Sequence, residues 1–253
     1  MTYDQRVLPR QNIKILAAFI LILVDQTPMA QTVTTAPSAI EQAVEKVLKT
    51  HPELVRDALN ELQRRETADI AKQEATTLAE STKEIYSETG SIVLGNPTGD
   101  VTLVEFIDYH CGYCKKMAPG IEQLIQRDSQ LRVLVKQLPV LGPESIAAAQ
   151  LMLSVESGPT VAQVHQTLIT NQDLDAASLS LIEQKYQLKP VNKILANRGL
   201  GEVRVLSEKL GIQGTPVLII GDTIFRGAVE TAQLEEAIQM ARNTLLTRSK
   251  AKS

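Results

Sequence analysis

The stretch FIDYHCGYCKK, residues 106–116, contains both cysteines of the 253-residue chain, Cys111 and Cys114. The apolar run 101–107 predicts a buried strand, and a helix is predicted to begin at the cysteines and to end near Arg127. Cys111 therefore lies where a strand passes into a helix. Unpaired backbone N–H groups and the positive end of the helix dipole favour a thiolate at such a place. We expect Cys111 to be the exposed nucleophile and Cys114, one turn further on, to be the more buried resolving thiol.

The two cysteines, with only Gly112 and Tyr113 between them, indicate redox chemistry rather than a structural cross-link. So small a loop cannot staple distant parts of a fold. A structural zinc site needs about four ligands, and the histidines do not recur at ligand spacing; they are His51, His110 and His165. Thiolates beside His110 suit a soft ion such as Cu(I), which stays open as an alternative. We expect no dedicated metal site and no cofactor.

The rest of the pattern predicts an α/β domain over residues 91–247. Short apolar runs between turn signals predict further strands at 91–94, 131–137, 217–220 and 223–226. The residues between 143 and 210 are helical in pattern, with breaks at 158–159, 171–175 and 197–201. A last helix is predicted over 230–246. The strands on either side of the cysteine helix are expected to be parallel.

The N-terminus has the pattern of a secretory signal peptide over residues 1–30. Arg6, Arg10 and Lys14 stand beside an apolar run, Ile15–Val24, that is too short to span a bilayer comfortably. We expect cleavage near Ala30 and export to the periplasm, an oxidising compartment in which disulfides persist. An uncleaved membrane anchor is the alternative.

Two amphipathic helices are predicted after the signal peptide, at 38–50 and 52–63. A unit of two short helices cannot bury both apolar stripes, so the region 31–63 is expected to form a dimer or trimer through residues 38–63. The alternative is that these helices fold back on their own catalytic domain. Residues 64–90 contain helix formers but little to bury, which indicates an exposed helical linker.

Composition argues against several other classes of function. The net charge is −3 and the pI is near 5.7, whereas a nucleic-acid partner requires concentrated Lys and Arg. Aromatic residues make up 3% of the chain and Trp is absent, so an aromatic platform for sugars or bases is not expected.

Several separated motifs resemble the DsbA-like branch of the thioredoxin superfamily. They are the strand that runs into the cysteine pair, CKKMAP at 114–119, LPVLG at 138–142 and GTP at 214–216. The resemblance implies a thioredoxin fold with a helical insertion at about 143–210. It also implies that Pro216 is a cis-proline facing the active site, and that Thr215 and Pro216 present backbone groups to a substrate strand.

The same resemblance gives a role to Glu105, six residues before Cys111. It matches the family's buried acid, which would exchange a proton with Cys114. The alternative is a strand carboxylate that points to solvent. Asp108 is interpreted as a turn or cap residue.

The Gly112-Tyr113 dipeptide together with Thr215 is similar to the disulfide isomerases of the DsbC type. The N-terminal helices resemble those of the suppressor-of-copper-sensitivity C (ScsC) proteins, which implies an oligomer. The expected activity is that of a thiol–disulfide oxidoreductase, an isomerase or reductase. It would act on disulfides or thiols of other exported client proteins and have an unidentified redox partner. A dithiol oxidase, a copper-tolerance protein and a client-holding chaperone remain as alternatives.

Overall fold

The structure is a computed structural model that describes residues 38–156 and 158–250; the predicted signal peptide, residues 1–30, lies outside the described residues. Backbone contacts divide the chain into two compact units between Ala58 and Leu59, and each unit is described by itself. The N-terminal helices are α1 (Ala39–Thr50), α2 (Glu53–Glu80) and α3 (Thr82–Ile85). The elements that follow are β1 (Ser91–Gly95), β2 (Val101–Ile107), α4 (Gly112–Arg127), β3 (Leu131–Gln137), α5 (Pro143–Leu153), α6 (Pro159–Thr170), α7 (Ala176–Tyr186), α8 (Lys193–Lys209), β4 (Val217–Ile220), β5 (Thr223–Arg226) and α9 (Thr231–Lys250).

Helix α1 begins with a reciprocal capping box. The Ser38 hydroxyl accepts from the Glu41 N–H, and the Glu41 carboxylate accepts from the Ser38 N–H at 2.6 Å. The helix ends at His51-Pro52, as predicted, because a residue that precedes proline resists the helical conformation. None of the residues of α1 is buried.

Helix α2 passes residue 63 without a break and continues to Glu80. Its residues from 64 to 77 are exposed or half-buried, in agreement with a helical linker. The expectation of an exposed linker is wrong for the last part of 64–90, because Leu78 and Ile85 are buried in the core cluster that contains Phe106. Burial of these two apolar side chains stabilises the start of the α/β domain.

The five-stranded sheet has the order β1-β3-β2-β4-β5. Strands β2 and β3 are parallel, and the other neighbouring pairs are antiparallel. This arrangement confirms the predicted strand–helix–strand unit and the C-terminal hairpin. Strand β2 lies in the centre of the sheet, so the residues that follow it are held by a buried and doubly paired strand.

Alternate residues of β2 enter two different cores. Leu103 and Ile107 pack with α4, α5, α6, α7 and α9. Val104 and Phe106 pack with the end of α2, with α3 and with α8. Glu105 shares the face of Leu103 and Ile107, because side chains alternate along a strand.

The helical insertion consists of α5 to α8. The predicted breaks near residues 158 and 171–175 are present, but the break predicted at 197–201 is wrong, because α8 is continuous from Lys193 to Lys209. Gly199 in α8 lets the helix pack closely against Gly90, because a Cβ atom at position 199 would lie 2.9 Å from the Cα of Gly90. The chain instead leaves the helical conformation between α7 and α8, near Pro190.

Candidate active site

Cys111 is the N-cap residue of α4, with φ −72° and ψ 115°. The turn between β2 and α4 is closed by a hydrogen bond of 3.0 Å from the Cys111 N–H to the Asp108 carbonyl oxygen. The side chain of Cys111 makes no capping hydrogen bond. A thiolate in this position faces the positive end of the helix dipole and the N–H groups of the first turn. The predicted placement of this cysteine at a helix N-terminus is therefore confirmed.

The two thiols differ in burial. Cys111 is 7% exposed and Cys114 is 1% exposed, and no disulfide joins them. The predicted order of accessibility is correct, but the expectation that Cys111 is exposed is wrong. Burial raises the pKa of the Cys114 thiol far above its ordinary value. Cys114 therefore needs a proton acceptor before it can act as a nucleophile.

Thr215 contacts both cysteines. The Thr215–Pro216 peptide bond is cis, as the resemblance implies. The Cys111 thiol donates to the main-chain carbonyl oxygen of Thr215, with an S···O distance of 3.2 Å. Burial is the largest influence on the Cys114 pKa, and hydrogen bonds oppose it. One of these hydrogen bonds, from the Thr215 side chain, lowers the pKa of Cys114. Tyr113, between the cysteines, is 64% exposed, and the neighbouring Gly112 also faces solvent.

Asp108 connects the active-site turn to the loop that follows β3. One carboxylate oxygen accepts from the His110 N–H at 2.8 Å. The other accepts from the N–H groups of Val140 and Leu141, at 2.8 and 3.0 Å. The interpretation of Asp108 as a turn or cap residue is confirmed. Two of its three hydrogen bonds hold the LPVLG segment beside the turn that contains Cys111.

Glu105 is buried in the middle of the sheet. Its cross-strand neighbours are Val135 on β3 and Leu218 on β4, and the residue is 4% exposed. Burial raises the pKa of Glu105 to about 7. The alternative of a carboxylate that points to solvent is therefore excluded by its burial.

A cleft of about 270 Å³ reaches from the surface to Glu105 and Cys114. It lies between α4 and α6, with the exposed Glu122 at its outer part and His165 along its wall. The cleft is large enough to admit water. The cleft thus has room for water beside the Glu105 carboxyl group and the Cys114 thiol.

The sequence predicts no role for Tyr109, and it shows His165 only as a histidine outside any metal-ligand spacing. The structure joins them, since the Tyr109 hydroxyl lies 2.9 Å from Nδ1 of His165. They are 56 positions apart in the chain. Predicting this pair requires knowing how α6 packs on the sheet. Helical periodicity shows which face of a helix is apolar, but it does not show where that helix packs.

The other histidines do not form a metal site. His51 lies in the turn between α1 and α2, where its Nδ1 is 2.8 Å from a Glu53 carboxylate oxygen. His110 precedes Cys111, and its Nε2 is buried without a partner within the described residues. Across residues 38–156 and 158–250, no three side chains of His, Cys, Asp or Glu are grouped closely enough to hold a metal ion.

Comparisons with known proteins place this geometry in context. The sequence model of a family described as thioredoxin matches residues 87–240. The catalytic domain of Proteus mirabilis ScsC is 33% identical, with a TM-score of 0.62, over 67% of this chain and 98% of that one. ScsC of the same organism in a transitional conformation is 32% identical, with a TM-score of 0.63, over 83% and 100% of the two chains. A periplasmic thioredoxin-like protein from Salmonella enterica serovar Typhimurium is 28% identical, with a TM-score of 0.60, over 64% and 95%.

One curated relative is a much longer protein. The Na⁺/H⁺ antiporter NhaA 3 of Salinispora tropica is 23% identical over 158 residues, which are 59% of this chain and 24% of the antiporter. This chain thus spans about a quarter of that relative's length. Among the described helices, none has the length and apolar character to cross a membrane.

Proposed function

We propose that this chain, which belongs to the thioredoxin family, is an exported disulfide isomerase or reductase. One observation carries the proposal: Cys111 is the N-cap residue of α4, Cys114 lies in the first turn of that helix, and both cysteines contact Thr215 of the cis-proline loop. The similarity to ScsC supports the same class of chemistry. The clients would be exported proteins that contain disulfides or thiols.

The reaction begins at Cys111. Its thiolate attacks one sulfur of a client disulfide, so that a Cys111–client disulfide forms and the other client sulfur leaves as a thiolate. In a reduction, the Cys114 thiolate then attacks the Cys111 sulfur and releases the second client thiolate. The client gains two electrons, and the protein is oxidised to the Cys111–Cys114 disulfide.

Isomerisation uses the first step but needs no net oxidant. A different client thiolate attacks the mixed disulfide, a new client disulfide forms, and Cys111 leaves as the thiolate. Gly112, Tyr113 and Thr215 favour this assignment because they are similar to the corresponding residues of DsbC-type isomerases. Dithiol oxidation is the alternative within the same chemistry.

Glu105 is assigned to proton transfer. Cys114 must lose its proton before it attacks, and burial opposes that ionisation. A carboxyl group with a pKa of about 7 accepts and returns a proton near neutral pH. The cleft that Glu105 and Cys114 share supports transfer through water.

Oligomerisation through residues 38–63 is the second part of the proposal. The apolar side chains of this region are exposed in the single chain: Ile40, Val44, Val47, Leu48, Leu54, Val55, Leu59 and Leu62. Ile40 is 75% exposed and Leu59 is 60% exposed. A dimer or trimer would bury this apolar stripe and place several cysteine pairs around one client, which raises their effective concentration.

Export rests on residues 1–30, which have the pattern of a signal peptide, and on the likeness to a periplasmic protein. Export to the periplasm would place the cysteine pair among proteins that form disulfides.

Reactivation of scrambled ribonuclease tests the proposed activity. We expect the reduced protein to restore ribonuclease activity, Cys111→Ala to abolish this effect, and Cys114→Ala to retain part of it because client thiols can resolve the mixed disulfide. Lack of reactivation by the reduced wild-type protein would exclude an isomerase. Net oxidation of reduced ribonuclease by the disulfide form, without reshuffling, would favour the oxidase.

A further inference from the structure

Helix α6 of the insertion contacts the chain on both sides of the cysteine pair. Before the pair, Nδ1 of His165 on α6 bonds to the hydroxyl of Tyr109 at 2.9 Å. After the pair, the Lys115 ammonium donates to the carbonyl oxygen of Asn171 at 2.5 Å, and Asn171 is the C-cap residue of α6. The two ties enclose the segment from Tyr109 to Lys115.

The hydrogen bond between Tyr109 and His165 is buried, and each of the two side chains keeps one protonation state near neutral pH. Tyr109 is 1% exposed and His165 is 8% exposed. Burial lowers the pKa of His165 to about 4, so the imidazole is neutral near pH 7. Burial also raises the pKa of Tyr109, which keeps its hydroxyl protonated. The hydroxyl and Nδ1 therefore share a hydrogen bond between two neutral groups, and the rings meet edge to face at a centroid distance of 5.7 Å.

The tie to Lys115 uses the C-terminal end of the same helix. The last carbonyl groups of a helix carry partial negative charge and have no partner inside the helix. A lysine ammonium satisfies one of them and is attracted by the dipole. Because Lys115 follows Cys114 directly, this contact fixes the first turn of α4.

We propose that α6 is a clamp that sets the geometry of the cysteine pair, with His165 and Lys115 as positioning residues. The proposal rests on the proposed thiol–disulfide chemistry but goes beyond it, because neither side chain has a hydrogen bond to a sulfur atom in the described structure. Holding the chain at 109 and 115 removes conformations in which the two sulfur atoms are far apart. The clamp thereby raises the effective concentration of one thiol at the other.

The equilibrium between the dithiol protein and glutathione measures that effective concentration. Loss of one hydrogen bond in the clamp should lower the equilibrium constant for Cys111–Cys114 disulfide formation by about threefold to tenfold, the range expected for one intramolecular hydrogen bond. We expect this loss in Tyr109→Phe, which removes only the hydroxyl group, and in His165→Leu. The double variant should show no further loss, because both changes break the same bond.

Two matched controls separate positioning from a general loss of packing. His165→Asn keeps a hydrogen-bonding group near the position of Nδ1 and should restore most of the wild-type equilibrium constant. Lys115→Met should lower the constant, whereas Lys116→Met removes the same charge from the exposed neighbouring residue and should leave it unchanged.

Several results would overturn the clamp. One is that Tyr109→Phe and His165→Leu lower the melting temperature but keep the glutathione equilibrium within twofold of wild type. Another is that their effects on the equilibrium multiply in the double variant. A wild-type protein that forms no disulfide with glutathione would refute the proposed function instead.

Discussion

The thiol of Cys111 donates to the main-chain carbonyl oxygen of Thr215 across 3.2 Å, although 104 positions separate the two residues. The nucleophile is thereby covered by the cis-proline loop and is 7% exposed. The same threonine reaches the second thiol through its side chain. One residue of the loop therefore acts on both sulfur atoms, and a substitution there can affect the two steps of the reaction differently.

Replacement of the Thr215 hydroxyl should slow the resolving step. In Thr215→Val the hydrogen bond that lowers the Cys114 pKa is lost, while the main-chain carbonyl that meets Cys111 remains. We expect resolution of a Cys111–glutathione mixed disulfide to slow by about tenfold, the cost of one hydrogen bond to a charged group. Thr215→Ser keeps a hydroxyl and should stay near the wild-type rate. Equal rates in the two variants would show that the hydroxyl has no such role.

Glu105 should make the stability of the domain fall as the pH rises. Its pKa is raised from 4.5 to about 7, so the folded state holds a proton that the unfolded state has released. The stability present below pH 4.5 is lost as the pH rises through 7. Between about pH 5 and pH 8, wild type should lose about 2–3 kcal/mol of unfolding free energy relative to Glu105→Gln.

Urea denaturation at both pH values measures this difference, and Glu122→Gln is the matched control at the outer part of the same cleft. If wild type and Glu105→Gln show parallel pH dependence, Glu105 is not a buried acid with a raised pKa.

Asp108 should stabilise the active-site turn. Asp108→Ala removes the acceptor of three N–H groups, and we expect a loss of about 2–3 kcal/mol in unfolding free energy. Asp108→Asn keeps one oxygen and should lose roughly half as much. Denaturation of the two variants, with alkylation of Cys111 as a second readout, checks the expectation. Equal stability of Asp108→Ala and wild type would contradict it.

The apolar stripe of the N-terminal helices should hold the oligomer together. Leu59→Asp introduces a charge into the stripe, and we expect a smaller mass by light scattering because a buried charge without a partner is costly. Asn60→Asp places the same charge at the adjacent exposed position of α2 and should not change the mass. Deletion of residues 31–63 should yield a monomer. A wild-type protein that is itself a monomer would refute this part of the proposal.

Patterns within single segments predicted most of the fold. The strand 101–107, the helix that begins at the cysteines and the hairpin near 221 follow from apolar runs and turn residues, and all are present. The break expected at 197–201 is wrong because Gly199 is needed for the close contact between α8 and Gly90. Such a contact between distant segments cannot be predicted from local helix propensity. The same limit applies to the site. The cysteine pair is visible in the sequence, whereas the bond from Tyr109 to His165 depends on how the insertion packs.

The most direct test of Cys111 as the nucleophile is to measure which cysteine forms the mixed disulfide. The Cys114→Ala and Cys111→Ala variants, treated with oxidised glutathione near pH 7, are compared by mass spectrometry over time. We expect rapid addition of one glutathione to Cys111 in the Cys114→Ala variant, and slow or no addition to Cys114 in the Cys111→Ala variant. Faster reaction at Cys114, or equal rates at both residues, would contradict the assignment of Cys111 as the nucleophile.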